Sequence, residues 1–445
     1  GTKYYTITPS ATTWNDRGSY GTETDVHGAT TYLGAAGDRL FVTANDDATN
    51  STFTFDGTTL TNLTATTPDG SYIWTTFQGR LFAAIDETLY YTNVDDEEDW
   101  AGGGSIGFND IITGLLVEGK RLIVFTRSYH QAVFFDFNDS FNISTPLKEP
   151  YEREYGALSP FALSRRGANV RYWASDNRIY NLGSEVNVDD QGLPRPVPLS
   201  EQIDPSLDFI NRNFREKARA TYVEDAEQWW LAVPYNVSQN NSLVFVYNEN
   251  FDSWTTRFGF YPSGFATLRN TDYKPELYFS DSLSPTIYKF NDDYSYAGNG
   301  YLRRWKSKKF TMGDSSVFKE WRWIDLAGSM YANTSFTVRI QVDNQYKEFN
   351  IDNTHLEVDA FGEYIGDNFI GDTLIGGSEP SEVAFKRFRA HIPVPTVIRE
   401  GFEAQITIYN DADGEPWKID EIGIEYEMRP RKQRKQAFIS NDQLP

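Results

Sequence analysis

The stretch Gly37-Asp38-Arg39-Leu40-Phe41-Val42 returns as Gly79-Arg80-Leu81-Phe82-Ala83, and again as Gly119-Lys120-Arg121-Leu122-Ile123-Val124. The arginines of the three copies stand 41 residues apart at both steps. A fixed period of about 40–45 residues is the spacing of a four-stranded propeller blade. Each copy reads as a turn followed by a strand, and each is followed by a second apolar run: Phe53-Thr54-Phe55, Leu89-Tyr90-Tyr91 and Ala132-Val133-Phe134-Phe135. Turn, strand and returning strand make a hairpin.

Looser copies continue at Val170–Ala174 with Arg178–Tyr180, at Trp229–Val233 with Leu243–Tyr247, and at Leu277–Phe279 with Thr286–Tyr288. The reading is therefore an all-β chain whose residues 1–299 form a β-propeller of six blades, with five and seven as alternatives. Any all-β protein alternates strands and turns, but two equal 41-residue steps favour a true repeat. Lys3-Tyr4-Tyr5-Thr6-Ile7 followed by Trp14 resembles Val246-Tyr247-Asn248 followed by Trp254, so the N-terminus is expected to complete the last blade and cover its edge. One short helix, near 200–220, is expected as an insertion between the fourth and fifth units, because Ile203, Leu207, Ile210 and Phe214 fall at helical spacing.

The pattern changes after Gly300. Residues 300–428 hold about six or seven strands at spacings that suit a β-sandwich. Thr334–Val342 alternates cleanly, with Phe336, Val338, Ile340 and Val342 on one face and Thr337, Arg339 and Gln341 on the other. Between strands, Phe361–Asp372 is a long Gly-Asp loop. Residues 429–445 form a basic tail, with Arg429, Arg431, Lys432, Arg434 and Lys435 followed by Phe438 and Ile439.

Composition excludes several chemistries. There is no cysteine, so disulfides and thiolate metal sites are out of reach. With no signal-peptide pattern either, a protein made in a reducing cytoplasm is expected. No apolar run approaches a membrane span. The net charge of −22 opposes nucleic acid over most of the surface. The four histidines, His27, His130, His355 and His391, show no metal or triad spacing, and no cofactor is expected. The acidic run Asp95–Asp99 reads as a solvated blade tip, Gly102–Gly104 as a flexible turn, and Asp411–Gly414 as a hairpin turn lacking the residues of a calcium loop.

The order of motifs resembles a known family. Thr76–Phe82, Leu89–Asn93 with Trp100, Ile112–Leu115, Leu122–Phe125, Glu154–Pro160 and Tyr172–Tyr180 look like the propeller of tail hub, or nozzle, proteins of short-tailed bacteriophages, the packaged-DNA stabilisation proteins among them. Trp321, Phe336–Val338, the Gly-Asp loop and Glu415–Asp420 are similar to phage tail proteins. The resemblance implies a non-enzymatic virion tail component, assembled in the host cytoplasm. It implies a homo-hexameric ring below the portal and adaptor, meeting tail fibre or needle proteins, with DNA passing through the lumen without sequence-specific binding. It carries over no catalytic residue. The other reading is a propeller that binds or cleaves glycan as a receptor-binding protein. The basic tail is expected to dock on the acidic surface of the next copy, with Arg429, Arg431, Lys432, Arg434 and Lys435 making ion pairs and Phe438 anchoring them.

Overall fold

The computed structural model describes residues 3–6, 15–19, 27–34, 37–44, 52–62, 68, 71, 73–96, 99–137, 143–148, 153–166, 169–182, 196–270, 272–284, 286–290, 295–296, 299–300, 303–330, 334–356, 386–410 and 417–429. The chain divides into two units, Gly1–Phe290 and Asn291–Pro445, so the boundary falls ahead of the expected 299.

The described residues of the first unit form six antiparallel meander sheets in succession, besides one two-stranded ladder. Blade 1 runs through His27–Gly34, Gly37–Ala44, Thr52–Phe55 and Leu60–Asn62. Blade 2 runs through Ile73–Phe77, Arg80–Ile85, Thr88–Tyr91 and Gly104–Gly107. Blade 3 comprises Ile112–Glu118, Arg121–Thr126, Tyr129–Phe137 and Ile143–Lys148, with Arg153–Glu154 added to its third strand. Blade 4 comprises Leu163–Arg166, Asn169–Trp173, Ile179–Leu182 and Pro196–Pro198; blade 5, Arg219–Val223, Gln228–Pro234, Asn241–Asn248 and Ser253–Phe258. Blade 6 comprises, among the described residues, Pro262–Arg269, Pro275–Asp281 and Ile287–Lys289. The first strands of blades 1 and 2, 2 and 3, 4 and 5, and 5 and 6 touch one another, as the inner strands of a β-propeller do.

The repeated stretch is the second strand of each blade, and burial explains its composition. Side chains alternate faces along a strand, and here both faces meet another sheet. Leu81 and Ala83 pack with Tyr32, Phe41 and Trp74, towards blade 1, while Phe82 and Ala84 join Leu115, Leu122 and Val124 of blade 3. Ile123 and Phe125 point the other way, onto Val170 and Tyr172 of blade 4, and Trp173 packs with Trp229 and Leu231 of blade 5. A strand buried on both faces reads as a continuous apolar run. The repeated glycine sits in the preceding turn: Gly79 has φ +69° and Gly119 φ +55°, where side chains are disfavoured.

Several expectations are corrected. Leu40, expected to be core like Leu81, Leu122 and Trp173, is half-buried, and Phe41 is the buried residue of its copy. Lys3–Thr6 pairs with Asn15–Ser19 as a separate ladder rather than completing blade 6. The expected helix is broken into Asp204–Leu207 and a 3-10 stretch, Arg212–Lys217. Between them, the Asn211 side chain accepts from the backbone N–H of Asn213 and starts a new turn, and Ile210 bridges Tyr235. Leu207 and Ile210 are nonetheless buried as their spacing required. The glycine run is a close approach rather than a flexible turn. Gly104 opens a strand, and a Cβ on Gly103 would lie 1.9 Å from the Tyr91 carbonyl oxygen.

The second unit is a β-sandwich. Arg303–Lys306, Ala404–Asn410, Phe336–Val342 and Gln345–Ile351 form one sheet in that order. Lys319–Met330 centres the other, with Trp417–Met428 on one side and Lys386–Pro393 and Glu400–Gly401 on the other. Phe336, Val338, Ile340 and Val342 are buried against Ile324, Leu326, Phe388 and Ile392 of the facing sheet, in the alternation the sequence shows. The Gly-Asp loop and Asp411–Gly414 lie outside the described residues.

Candidate interaction surfaces

Arg429 directly follows the strand Trp417–Met428. Its guanidinium pairs with Glu320, and its Nη1 lies 3.2 Å from Glu400 Oε1. The hydrogen bond to Glu320 raises the Arg429 pKa. Arg429 is thus neutralised inside its own sandwich, whereas it was expected to pair with the next copy. Arg431, Lys432, Arg434, Lys435 and Phe438 lie outside the described residues.

A buried charged cluster lies between blades 4 and 5. Arg171, on the second strand of blade 4, is only 6% exposed. It points towards blade 5 on the same face as Trp173 and pairs with Glu249. Glu249 also pairs with Arg166 and accepts from the Tyr222 hydroxyl at 2.9 Å. Arg166 reaches Glu227 at 3.2 Å as well. The guanidinium of Arg166 lies 4.7 Å from the ring centre of Tyr222, and that of Arg171 lies 5.0 Å from Tyr247. Burial opposes ionisation of Glu249, but Arg171, Tyr222 and Arg166 together outweigh it and hold the carboxyl below its ordinary range. Burial, and then the hydrogen bond to Asp252, push Tyr247 up to about 12. A carboxylate so fully engaged, with its proton affinity lowered, is the reverse of a general acid. The cluster clamps two blades together.

The histidines stand apart. His130 is buried, with Nδ1 3.1 Å from the Tyr155 carbonyl and its ring against Phe125 and Tyr172. Nδ1 therefore donates, and Nε2 has no hydrogen-bond partner among the described residues. Burial lowers its pKa to about 4, so the ring is neutral at pH 7. Below about pH 6.5 the unfolded chain binds a proton that the folded chain refuses. Stability present at pH 7 is therefore lost as pH falls from about 6.5 to about 4, by roughly 3 kcal/mol in all. His130→Phe is expected to flatten that part of a stability–pH curve measured by urea denaturation; an unchanged slope between pH 6.5 and 4 would refute it.

His391 Nδ1 lies 2.5 Å from Asp325 Oδ1, and its ring stacks on Trp323 at 3.9 Å. His355 belongs to a capping box with Asp352. His27 lies on the first strand of blade 1. No group of three or more metal-ligating side chains occurs among the described residues. At the acidic blade tip, Asp99 accepts from Gly102 N at 2.6 Å, and Asp96 from Asp99 N at 3.2 Å.

One charged surface escaped the sequence reading. Residues 303–309, Arg-Arg-Trp-Lys-Ser-Lys-Lys, place five cations in seven positions on an edge strand of the sandwich and its continuation. Arg304 and Lys306 stand opposite Tyr409 and Thr407, whose neighbours across the sheet, Thr337 and Arg339, are on the outward face. Arg304, Trp305, Lys306, Lys308 and Lys309 are all exposed, Trp305 by 41%. Lys309 pairs with Glu403, but Arg304, Lys306 and Lys308 form no ion pair among the described residues. The signal was available as a local basic run in a chain of net charge −22.

No protein-family model matches the chain, and no curated protein matches it. Among solved structures it is similar to Hsv2 of Kluyveromyces lactis, at 10% identity over 60% of this chain and 76% of that one, with a TM-score of 0.35. It is also similar to BBS1N, solved in complex with ARL6DN, at 12% identity over 57% of this chain and 88% of that one, with a TM-score of 0.29. The fold assignment rests on the sheets themselves. No helix among the described residues is long and apolar enough to cross a membrane.

Proposed function

We propose that this protein is a non-enzymatic structural component of the tail of a short-tailed bacteriophage, a hub or nozzle subunit. Six copies form a ring below the portal and adaptor, and DNA passes through its lumen. The observation that carries this reading is the order of the blade motifs. Thr76–Phe82 spans the first hairpin of blade 2, Leu122–Phe125 is the second strand of blade 3, and Tyr172–Tyr180 covers the central hairpin of blade 4. A chain of net charge −22 suits a wall that DNA slides along. Mass photometry and negative-stain microscopy of the purified protein are expected to give rings with an open bore. A monomer at every concentration would refute the proposal.

Two further outcomes are expected. Retention of duplex DNA by the full chain at about 150 mM salt is expected to be negligible, since screening over about 8 Å leaves the near field repulsive; measurable affinity in a filter assay would contradict the DNA-sliding role. Deletion of residues 430–445, which keeps Arg429 for Glu320, is expected to weaken assembly and reduce its salt sensitivity while the subunit still folds. Equal assembly of the truncated and full chains across a salt series would remove any docking role for the tail.

A further inference from the structure

We propose that the basic strand at 303–309 docks on the acidic propeller unit of a second copy of this chain. The inference rests on the ring reading above and supplies the contact that closes it. Residues 1–290 carry 38 Asp and Glu against 22 Lys and Arg, which places −16 of the chain's −22 in that unit. Against that field, the sandwich edge offers Arg304, Lys306 and Lys308, exposed and without ion pairs among the described residues. Side chains two apart on a strand share a face about 6.5 Å from each other. Arg304 and Lys306 thus form a row of charge rather than a scatter, with Trp305 beside it on the opposite face.

One end of the propeller unit carries a set of acidic turns. In a meander blade, the turns joining first to second and third to fourth strands lie at the same end of the sheet. Asp95 and Asp96 of blade 2, Glu224, Asp225 and Asp252 of blade 5, and Asp272 of blade 6 all sit in such turns. A sandwich edge of one copy on a propeller end of the next is a head-to-tail contact, which closes into a ring when its rotation does. The charged edge also keeps the sandwich sheet from pairing edge to edge with another strand.

The test is charge reversal in the full chain, Arg304→Glu/Lys306→Glu/Lys308→Glu, read by mass photometry across a salt series. All three residues are exposed, so the variant's melting temperature should match that of the unaltered protein. Assembly is expected to weaken about tenfold or more and to lose most of its salt dependence. A carboxylate–amine crosslinker, applied to a mixture of 14N- and 15N-labelled copies, is expected to join Lys306 or Lys308 of one copy to carboxylates within residues 1–290 of another. If the unaltered protein forms rings and the variant forms them equally well, the docking inference fails and the ring reading stands. If the unaltered protein is a monomer throughout, both fail. If assembly is unchanged and the variant instead loses duplex-DNA retention seen with the unaltered protein, the strand contacts nucleic acid and the inference is overturned.

Discussion

Glu249→Ala lowers the unfolding free energy of the propeller unit by about 3 kcal/mol, the largest loss expected of any single charge change. Removing one partner of a buried pair leaves the other uncompensated, at roughly 3–5 kcal/mol. The lower end applies because the Glu249 side chain keeps 17% of its surface exposed. Arg171 is the residue left behind: its Nε and Nη1 already lack protein partners among the described residues, so without Glu249 it holds a buried charge with nothing opposite. The double variant Arg171→Met/Glu249→Leu should therefore be more stable than Glu249→Ala alone, because apolar side chains of similar volume refill the site. The pH dependence has a definite sign. The folded-state pKa of Glu249 is depressed, so its contribution is complete above the unfolded value, near 4.5, and is lost as pH falls through the lower folded value. Urea titrations followed by tryptophan fluorescence would measure all three. If Glu249→Ala moved the midpoint no more than a surface substitution does, the clamp would be structurally idle.

Leu81→Ala is expected to cost about 2–5 kcal/mol, and Leu40→Ala clearly less. The two leucines occupy the same place in the repeat. Leu81 is fully buried, packed with Tyr32, Phe41 and Trp74, and its removal opens a cavity that rigid aromatic neighbours cannot close. Leu40 is half-buried and exposes part of its surface already. Trp173→Ala, at a fully buried position between blades 4 and 5, belongs with Leu81 at about 3–5 kcal/mol. Equal losses at Leu40 and Leu81 would mean that the repeat does not describe the packing.

What could be read in advance follows from how each element is stabilised. The second strands of blades 2, 3 and 5 were visible because burial on both faces makes them nearly uninterrupted apolar runs, whereas that of blade 6, half-buried at five of its seven positions, shows only the short run Leu277-Tyr278-Phe279. The sandwich strand Phe336–Val342 was visible because one face alternates strictly. The neighbouring strand Gln345–Ile351 was not, since six of its seven residues are exposed or half-buried and only Ile351 and Phe349 reach the core. The helix was misread because apolar spacing survives a break in the backbone: Leu207 and Ile210 reach the core from two separate turns. The clamp could not be read at all. Arg171 and Glu249 are 78 residues apart, and nothing local distinguishes Glu249 from the carboxylates around it. Arg429 belonged by composition to the tail, and only the fold brings Glu320 and Glu400 to it.

The double-sided burial of the second strands has a consequence during synthesis. The Phe82 and Ala84 face of blade 2 is covered by blade 3, and the Ile123 and Phe125 face of blade 3 by blade 4. On a ribosome each new blade therefore emerges with one wall already covered and the other bare. At about 5–20 residues per second, the 41-residue step between blades keeps each wall uncovered for about 2–8 s. The repeat length thus acts as a clock: a longer insertion between two blades lengthens the interval in which a nascent chain can stick to its neighbour. The long connection from blade 4 to blade 5, which carries the broken helix, is where that interval is greatest.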